Sequence, residues 1–210
     1  MKKIILASQS PRRSEILKKA NYDFVSIPTH VSEIPDKNLT LDEQIMDIAR
    51  RKARFCLATL QGQRLADESD RHEHLILAAD TMVCLSDQIL GKPASQVEAF
   101  QFLNLLSGKI HHVKTAVIIL DVNSHDEVSL IETTEVTFRN LSESEIWDYI
   151  KTGEPMDKAG AYAIQGLGKK FVTHFNGDFD NVVGLPLHAI EKVFKIKSWT
   201  LKRLLPEPKF

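Results

Sequence analysis

Ser8-Gln9-Ser10-Pro11-Arg12-Arg13 follows a short apolar run, Lys3-Ile4-Ile5-Leu6-Ala7. Ser10 reads as an N-cap and Pro11 as the first helical residue, so both arginines fall in the first turn. That end of a helix already presents about half a positive charge, and a cation there costs roughly 0.3–1 kcal/mol. Three later helix starts, Thr40-x-x-Glu43, Ser95-x-x-Glu98 and Ser142-x-x-Glu145, read as capping boxes with an acid in the first turn. An anion docked on the first helix would reverse the sign of the penalty, and phosphate is the usual one. Two solvated surface arginines are the plainer alternative. Ser8 and Ser10 place two hydroxyls beside the same turn.

Two further charges interrupt apolar patterns. A helix wound from Leu41 puts Ile45, Ile48, Ala49, Phe55 and Cys56 on one side with Lys52 in their midst, while Arg50, Arg51 and Arg54 fall outside that arc. Lys52 either packs its stem on the core and frees its amine to water, or reaches a phosphate. Asp80 breaks Leu75-Ile76-Leu77-Ala78-Ala79-Asp80-Thr81-Met82-Val83-Cys84-Leu85, a strand that otherwise reads as buried on both faces. A carboxylate there must be paired, hydrogen-bonded or bound to a metal, a structural salt bridge being the plainer reading. For the metal option a hard cation fits, Mg²⁺ or Mn²⁺ with carboxylate and phosphate oxygens, because there is no HExxH motif and no Cys/His cluster. Glu33 is a candidate second carboxylate. Gly91-Lys92-Pro93 holds a lysine in a rigid turn, and neither Gly91-Lys92 nor Gly108-Lys109 completes a P-loop. In the glycine-punctuated stretch over 153–168, Gln165 carries both the donor and the acceptor that a base edge requires.

The elements that must hold these residues alternate. Period and punctuation predict strands over 3–8, 24–28, 75–85, 110–121, 128–139 and 170–175. Helices are expected over 11–20, 41–60, 96–106, 143–151 and 187–194. The strands over 110–121 and 128–139 read as a hairpin joined by Asn123-Ser124-His125-Asp126, which makes the sheet mixed. Gln61 to His74 is a charged stretch expected to be an exposed loop. Residues 1–194 are expected to form a single domain, and 195–210 a basic C-terminal tail that packs on the body, joins a subunit contact or frays.

At 210 residues and net charge −1, with a pI near 6.7, the chain has size for a buried core. It lacks the basic balance of a nucleic-acid or membrane-surface binder. Cys56 and Cys84 show no CxxC spacing and read as buried free thiols of a reducing compartment. The apolar run at the start is too short for a signal peptide, and no segment is long enough to span a bilayer. A soluble cytoplasmic protein is expected.

Taken together, the motifs resemble the Maf family of nucleoside triphosphate pyrophosphatases. They are Ala7-Ser8-Gln9-Ser10-Pro11-Arg12-Arg13, Ala79-Asp80-Thr81-Met82-Val83, Gly91-Lys92-Pro93, Asp157-Lys158-Ala159-Gly160-Ala161-Tyr162 with Ile164-Gln165-Gly166, and Asn181-Val182-Val183-Gly184-Leu185-Pro186-Leu187. The form around Gln165 is similar to the branch acting on dTTP and UTP rather than the branch preferring 7-methyl-GTP. The resemblance implies an α/β fold: an elongated mixed β-sheet flanked by helices, two lobes around a cleft, similar to inosine triphosphatase. It also implies a homodimer and hydrolysis of a nucleoside triphosphate to the monophosphate and pyrophosphate. Asp80 carries over as the catalytic acid/base, and Arg12, Thr81 and Gln165 as positions shaping substrate choice. The expected site therefore has Asp80, Lys52 and Lys92 in catalysis. Ser8, Ser10, Arg12, Arg13, Thr81 and Gln165 bind substrate, and Asp80 with Glu33 anchors Mg²⁺ or Mn²⁺. Two alternatives share part of this: a non-hydrolysing nucleotide-binding regulator of septum formation, and a purine-scavenging triphosphatase with a different base pocket.

Overall fold

Unbroken runs of Ile, Leu and Ala form the centre of the sheet. In the computed structural model, which describes residues 1–62 and 74–204, β1 (Lys3–Ala7) runs parallel to β3 (His74–Leu85), from Lys3 beside His74 to Ala7 beside Ala78. Both are buried on two faces, which is why neither alternates with polar residues. β2 (Phe24–Ser26) adds in parallel to the other side of β1. β5 (Ile110–Asp121), β6 (Glu127–Phe138) and β7 (Val172–Asn176) extend the sheet in the order β2-β1-β3-β5-β6-β7, with β6 and β7 antiparallel. The short β4 (Gln88–Leu90) folds back antiparallel on β3 through Ser86 and Asp87, with Ser86 at φ 51°. The sheet is mixed, as the sequence predicts, and the two three-residue strands β2 and β4 lie beside its buried centre.

Six helices are described: α1 (Pro11–Lys19), α2 (Leu41–Gly62), α3 (Gln96–Leu106), α4 (Glu143–Lys151), α5 (Phe179–Val183) and α6 (Leu187–Ile196). The predicted ends of α3, α4 and β5 coincide with the observed ones, and local caps mark the starts of the two helices. Ser142 and Glu145 form the full capping box expected of them. So do Thr40 and Glu43 at the start of α2. Ser95 forms only half of one: its hydroxyl accepts from Glu98 N–H, but the Glu98 carboxylate turns to Ala94 N–H instead. The glycine-punctuated stretch becomes three 3₁₀ turns, Glu154–Asp157, Ala159–Ala161 and Leu167–Phe171, the last of which takes up the predicted start of β7. The predicted loop from Gln61 to His74 lies, apart from its ends, outside the described residues.

The chain folds as two compact units. The first, drawn from Met1–Asp80, Ala116–Ile131 and Gly184–Phe210, holds β1, β2, α1, α2, α6 and the leading part of β3. Along α2, Ile45, Ile48, Ala49, Lys52, Ala53, Cys56 and Leu60 are buried at spacings of three and four. The described part of the tail packs on this unit. Leu201 bridges Lys2, and Arg203 lies 3.6 Å over the Tyr22 ring, whose hydroxyl donates to Glu191.

The second unit is drawn from Thr81–Thr115 and Glu132–Val183. Its core gathers Leu103, Leu106, Val136, Ile146 and Ile150 with Phe138, Tyr149, Tyr162 and Phe171. Phe138 meets Tyr162 edge-on at 4.7 Å, and Tyr149 meets Phe171 edge-on at 5.0 Å. Such pairs add to area burial. Among the described residues no helix is long and apolar enough to cross a membrane.

Candidate active site

α2 turns Lys52 inward among apolar neighbours, and β3 delivers Asp80 from its buried run. Lys52 is 4% exposed and Asp80 8%. The Lys52 Nζ lies 2.6 Å from Asp80 Oδ1 and 2.6 Å from Glu33 Oε1. Burying an ammonium is costly unless it is paired, and two carboxylates pair this one. The amine does not escape to water, as the first of the two readings of Lys52 had it; two carboxylates hold it. Asp80 is salt-bridged.

Glu33 sits between β2 and α2, where no regular element fixes it. Arg51 does so instead. Its guanidinium donates to the carbonyls of Ser32 and Ile34, on either side of Glu33, and pairs with Asp47 one helical turn back. Residue 51 thus clamps the backbone that presents Glu33 to residue 52. Sequence reasoning left Arg51 outside the apolar arc and gave it no role. Its partners are backbone carbonyls, which no side-chain pattern announces.

At α1 the reversed charge pattern is real: Pro11 is in the first turn with Arg12 and Arg13, and no acid is present. Ser10 stands at the N-cap position, but its hydroxyl makes no capping bond, which corrects the expectation for that side chain. Ser8 serves the turn instead. Its Oγ accepts from Ser10 N–H at 3.1 Å and from Arg13 Nη1 at 3.3 Å. Arg13 is buried, and its Nε donates to the Gly184 carbonyl at 2.8 Å. Burial lowers the Arg13 pKa, the carboxylates of Asp80 and Glu33 oppose that, and Arg12 adds to it. Arg13 therefore feels the fields of Asp80, Glu33 and Arg12 together. Arg12 is half-buried. Within the first unit, the chain brings Ser8, Ser10 and Arg13 into one hydrogen-bonded turn and Glu33, Lys52 and Asp80 into one charged cluster.

In the second unit, Thr81 follows Asp80 along β3. Its Oγ1 is 3.0 Å from Thr115 Oγ1, which donates to the Asn181 carbonyl. The Asn181 amide donates in turn to the Val113 carbonyl and Thr134 Oγ1. Thr115, Thr134 and Asn181 are fully buried, so Thr81 stands on a rigid polar chain. Thr115 lay unnoticed within an apolar strand. Lys92 is exposed on the turn after β4, where the Gly91 carbonyl accepts from Gly160 N–H at 3.0 Å. Gln165 is half-buried on the bend between two 3₁₀ turns. Lys92 and Gln165 occupy separate turns of this unit.

Among the described residues no three His, Cys, Asp or Glu side chains assemble into a metal cage. Glu33 and Asp80 nonetheless converge on one cation, the Lys52 ammonium. Mg²⁺ commonly takes one or two carboxylates from the protein and the rest of its oxygens from phosphates and water. The donor set fits a metal that arrives with a phosphate ligand, and does not fit one caged by protein alone.

Known proteins share this framework. The dTTP/UTP pyrophosphatase of Bdellovibrio bacteriovorus is 50% identical over 190 residues, covering 90% of this chain and 96% of that protein. The dTTP/UTP pyrophosphatase of Thermococcus onnurineus is 46% identical over 191 residues, covering 90% and 95%. Among solved structures, the Staphylococcus aureus Ham1 protein matches with a TM-score of 0.50 at 13% identity, covering 93% of this chain and 100% of that one, a likeness of fold alone. The family model for Maf-like proteins matches residues 3–196, and with relatives this similar over nearly their whole length, the chain belongs to the Maf-like family.

Proposed function

We propose that this protein is a nucleoside triphosphate pyrophosphatase that hydrolyses dTTP and UTP to the monophosphate and pyrophosphate. The observation that carries the reading is the buried Lys52–Asp80 pair joined by the exposed Glu33, in the same unit as a helix that starts with two arginines. The names of the relatives point to the same reaction.

In this reading Asp80 orients a water molecule towards the α-phosphorus and accepts its proton. The new bond joins the water oxygen to the α-phosphorus, the α–β bridging P–O bond breaks, and pyrophosphate leaves. Lys52 fixes the Asp80 carboxylate through the 2.6 Å contact. Arg12, Arg13 and the Ser8 and Ser10 hydroxyls serve the phosphates, and Lys92 adds a further cation. Glu33 and Asp80 would hold Mg²⁺ or Mn²⁺, which when bound would supply positive charge against that of the leaving pyrophosphate. Thr81 and Gln165 bear on the choice of base. Most of the rate then comes from positioning and electrostatics.

The reading extends to a homodimer in the cytoplasm. The family resemblance supports the dimer, and two buried free thiols suit a reducing compartment; burial pushes the Cys56 thiol up to about 12. No observation favours the non-hydrolysing regulator.

The test is a panel of nucleoside triphosphates with Mg²⁺ or Mn²⁺, scored for pyrophosphate against orthophosphate. Pyrophosphate with dTMP and UMP is expected. Orthophosphate would place the attack on the terminal phosphate and overturn the mechanism. Light scattering behind a sizing column tests the dimer.

A further inference from the structure

The bend carrying Gln165 is held at both ends by one carboxylate and one phenol. Glu154 opens the first 3₁₀ turn after Gly153. Its Oε1 accepts from the Tyr149 hydroxyl at 2.8 Å and from Gly168 N–H at 3.1 Å, and its Oε2 accepts from Leu167 N–H at 3.0 Å. The Tyr149 hydroxyl also accepts from Ala163 N–H at 3.3 Å. Residues 163 and 167–168 are thus tied to the same pair of side chains, with Gln165 midway between them. Tyr149 is rooted in α4, 1% exposed and edge-on to Phe171, so the tether is anchored in the core of the second unit.

The glycines of the bend answer to this pair. Gly166 is at φ 110°, and a Cβ there would lie 2.7 Å from Glu154 Oε2. A Cβ on Gly168 would lie 2.7 Å from the Tyr149 hydroxyl. Burial alone would raise the Glu154 pKa. The bonds from Leu167, Tyr149 and Gly168 and the charge of Lys158 outweigh it and hold the carboxyl below its ordinary range.

We propose that Glu154 and Tyr149 are positioning residues that set where the Gln165 amide stands, and so tune the preference among nucleobases without touching the nucleotide. The inference rests on the reading that Gln165 meets the base. A hydrogen-bonding side chain discriminates only while its donor and acceptor stay in register with the base edge, and small misplacements cost heavily.

The experiment measures kcat and KM for UTP, dTTP and CTP, together with Tm, on the full chain. The variants are Gln165→Ala, Glu154→Gln, their double variant, and Tyr149→Phe. Glu154→Gln keeps the size but aims an NH₂ donor at a backbone N–H. The expected result is a KM about tenfold higher for the preferred pyrimidine triphosphate, the scale of one lost hydrogen bond, with kcat within about twofold. Base preference should narrow as it does in Gln165→Ala, and the double variant should be no worse than Gln165→Ala alone. Tyr149→Phe should move KM the same way, and it decides the matter if Glu154→Gln does not fold.

Unchanged KM and preference in folded Glu154→Gln, or a loss that adds in full to that of Gln165→Ala, would overturn the inference while leaving Gln165 its role. Unchanged preference in Gln165→Ala would overturn the base-reading role itself, and the inference with it. That single variant tells the two failures apart.

Discussion

Lys52 touches two carboxylates while nearly closed to water, so substitutions around it separate charge from packing. Asp80→Asn keeps an oxygen for Lys52 to bond but removes the carboxylate that the proposed mechanism uses as proton acceptor. Turnover should fall by about 10²–10⁴-fold, the usual contribution of general acid–base catalysis, while nucleotide affinity stays within a few-fold. Single-turnover rates set against equilibrium nucleotide binding measure the two separately; wild-type turnover would remove Asp80 from the chemistry. Lys52→Met removes the cation in direct contact with buried Asp80 and leaves it the field of Arg13, a costly way to break an internal pair, and should destabilise the protein by up to roughly 3–5 kcal/mol. Urea unfolding checks this, and a loss under about 1 kcal/mol would mean that water reaches Asp80 once the lysine is gone. The need for a partner at Lys52 and Asp80 was legible in the sequence because each charge breaks an apolar pattern. That they partner each other was not, since 28 residues of chain separate them.

Elements with a local signature were equally legible. The α3 and α4 starts follow from Ser95 and Ser142, and β1 and β3 from runs too apolar for a half-exposed strand. β4 and α5 were not foreseen. At three and five residues they span less than two periods of the strand and helix patterns, too few for a repeat to show, and they exist because β3 and the buried Asn181 give them something to bond to. The turn at Gly160 shows how such short pieces are held. Gly160 has φ 66°, Ala161 follows at φ 58°, and Gly160 N–H reaches the Gly91 carbonyl beside Lys92. A Cβ at Gly160 would meet the Val83 side chain at 2.9–3.0 Å. Gly160→Ala should therefore cost about 1–2 kcal/mol for the left-handed backbone, with the clash in addition. Because the turn must shift away from Gly91, it should also raise KM for the triphosphate through Lys92. A destabilised variant with unaltered KM would show that Lys92 does not depend on this contact.

On the scale of the whole molecule, the two units carry separate reporters: Trp199 lies in the first and Trp147, stacked on Phe100 at 4.9 Å, in the second. The second unit also contains an acid-sensitive group. His111 is fully buried, its Nε2 is 2.8 Å from the Tyr162 hydroxyl, and Phe138 and Tyr162 meet its ring edge-on. Burial lowers its pKa to about 4, with the neighbouring His112 adding to the effect. In the unfolded chain the value is about 6.5. Between those limits the unfolded state holds a proton that the folded state does not, so stability rises with pH across the window. The contribution is complete above about 6.5 and is lost as pH falls to about 4, a change on the order of 3 kcal/mol. Glu145, held near 2 by Arg139, loses its advantage only below the ordinary carboxylate range, so the two effects occupy different parts of the acid limb. In a Trp199→Phe background, the urea midpoint reported by Trp147 should fall steadily from pH 6.5 to 4. His111→Gln keeps a hydrogen-bond partner for Tyr162 without titrating, and should flatten that slope while leaving the steeper loss below pH 4. An equal slope in His111→Gln would assign the acid sensitivity to another group, and a slope reported by Trp199 in a Trp147→Phe background but not by Trp147 would place it in the first unit.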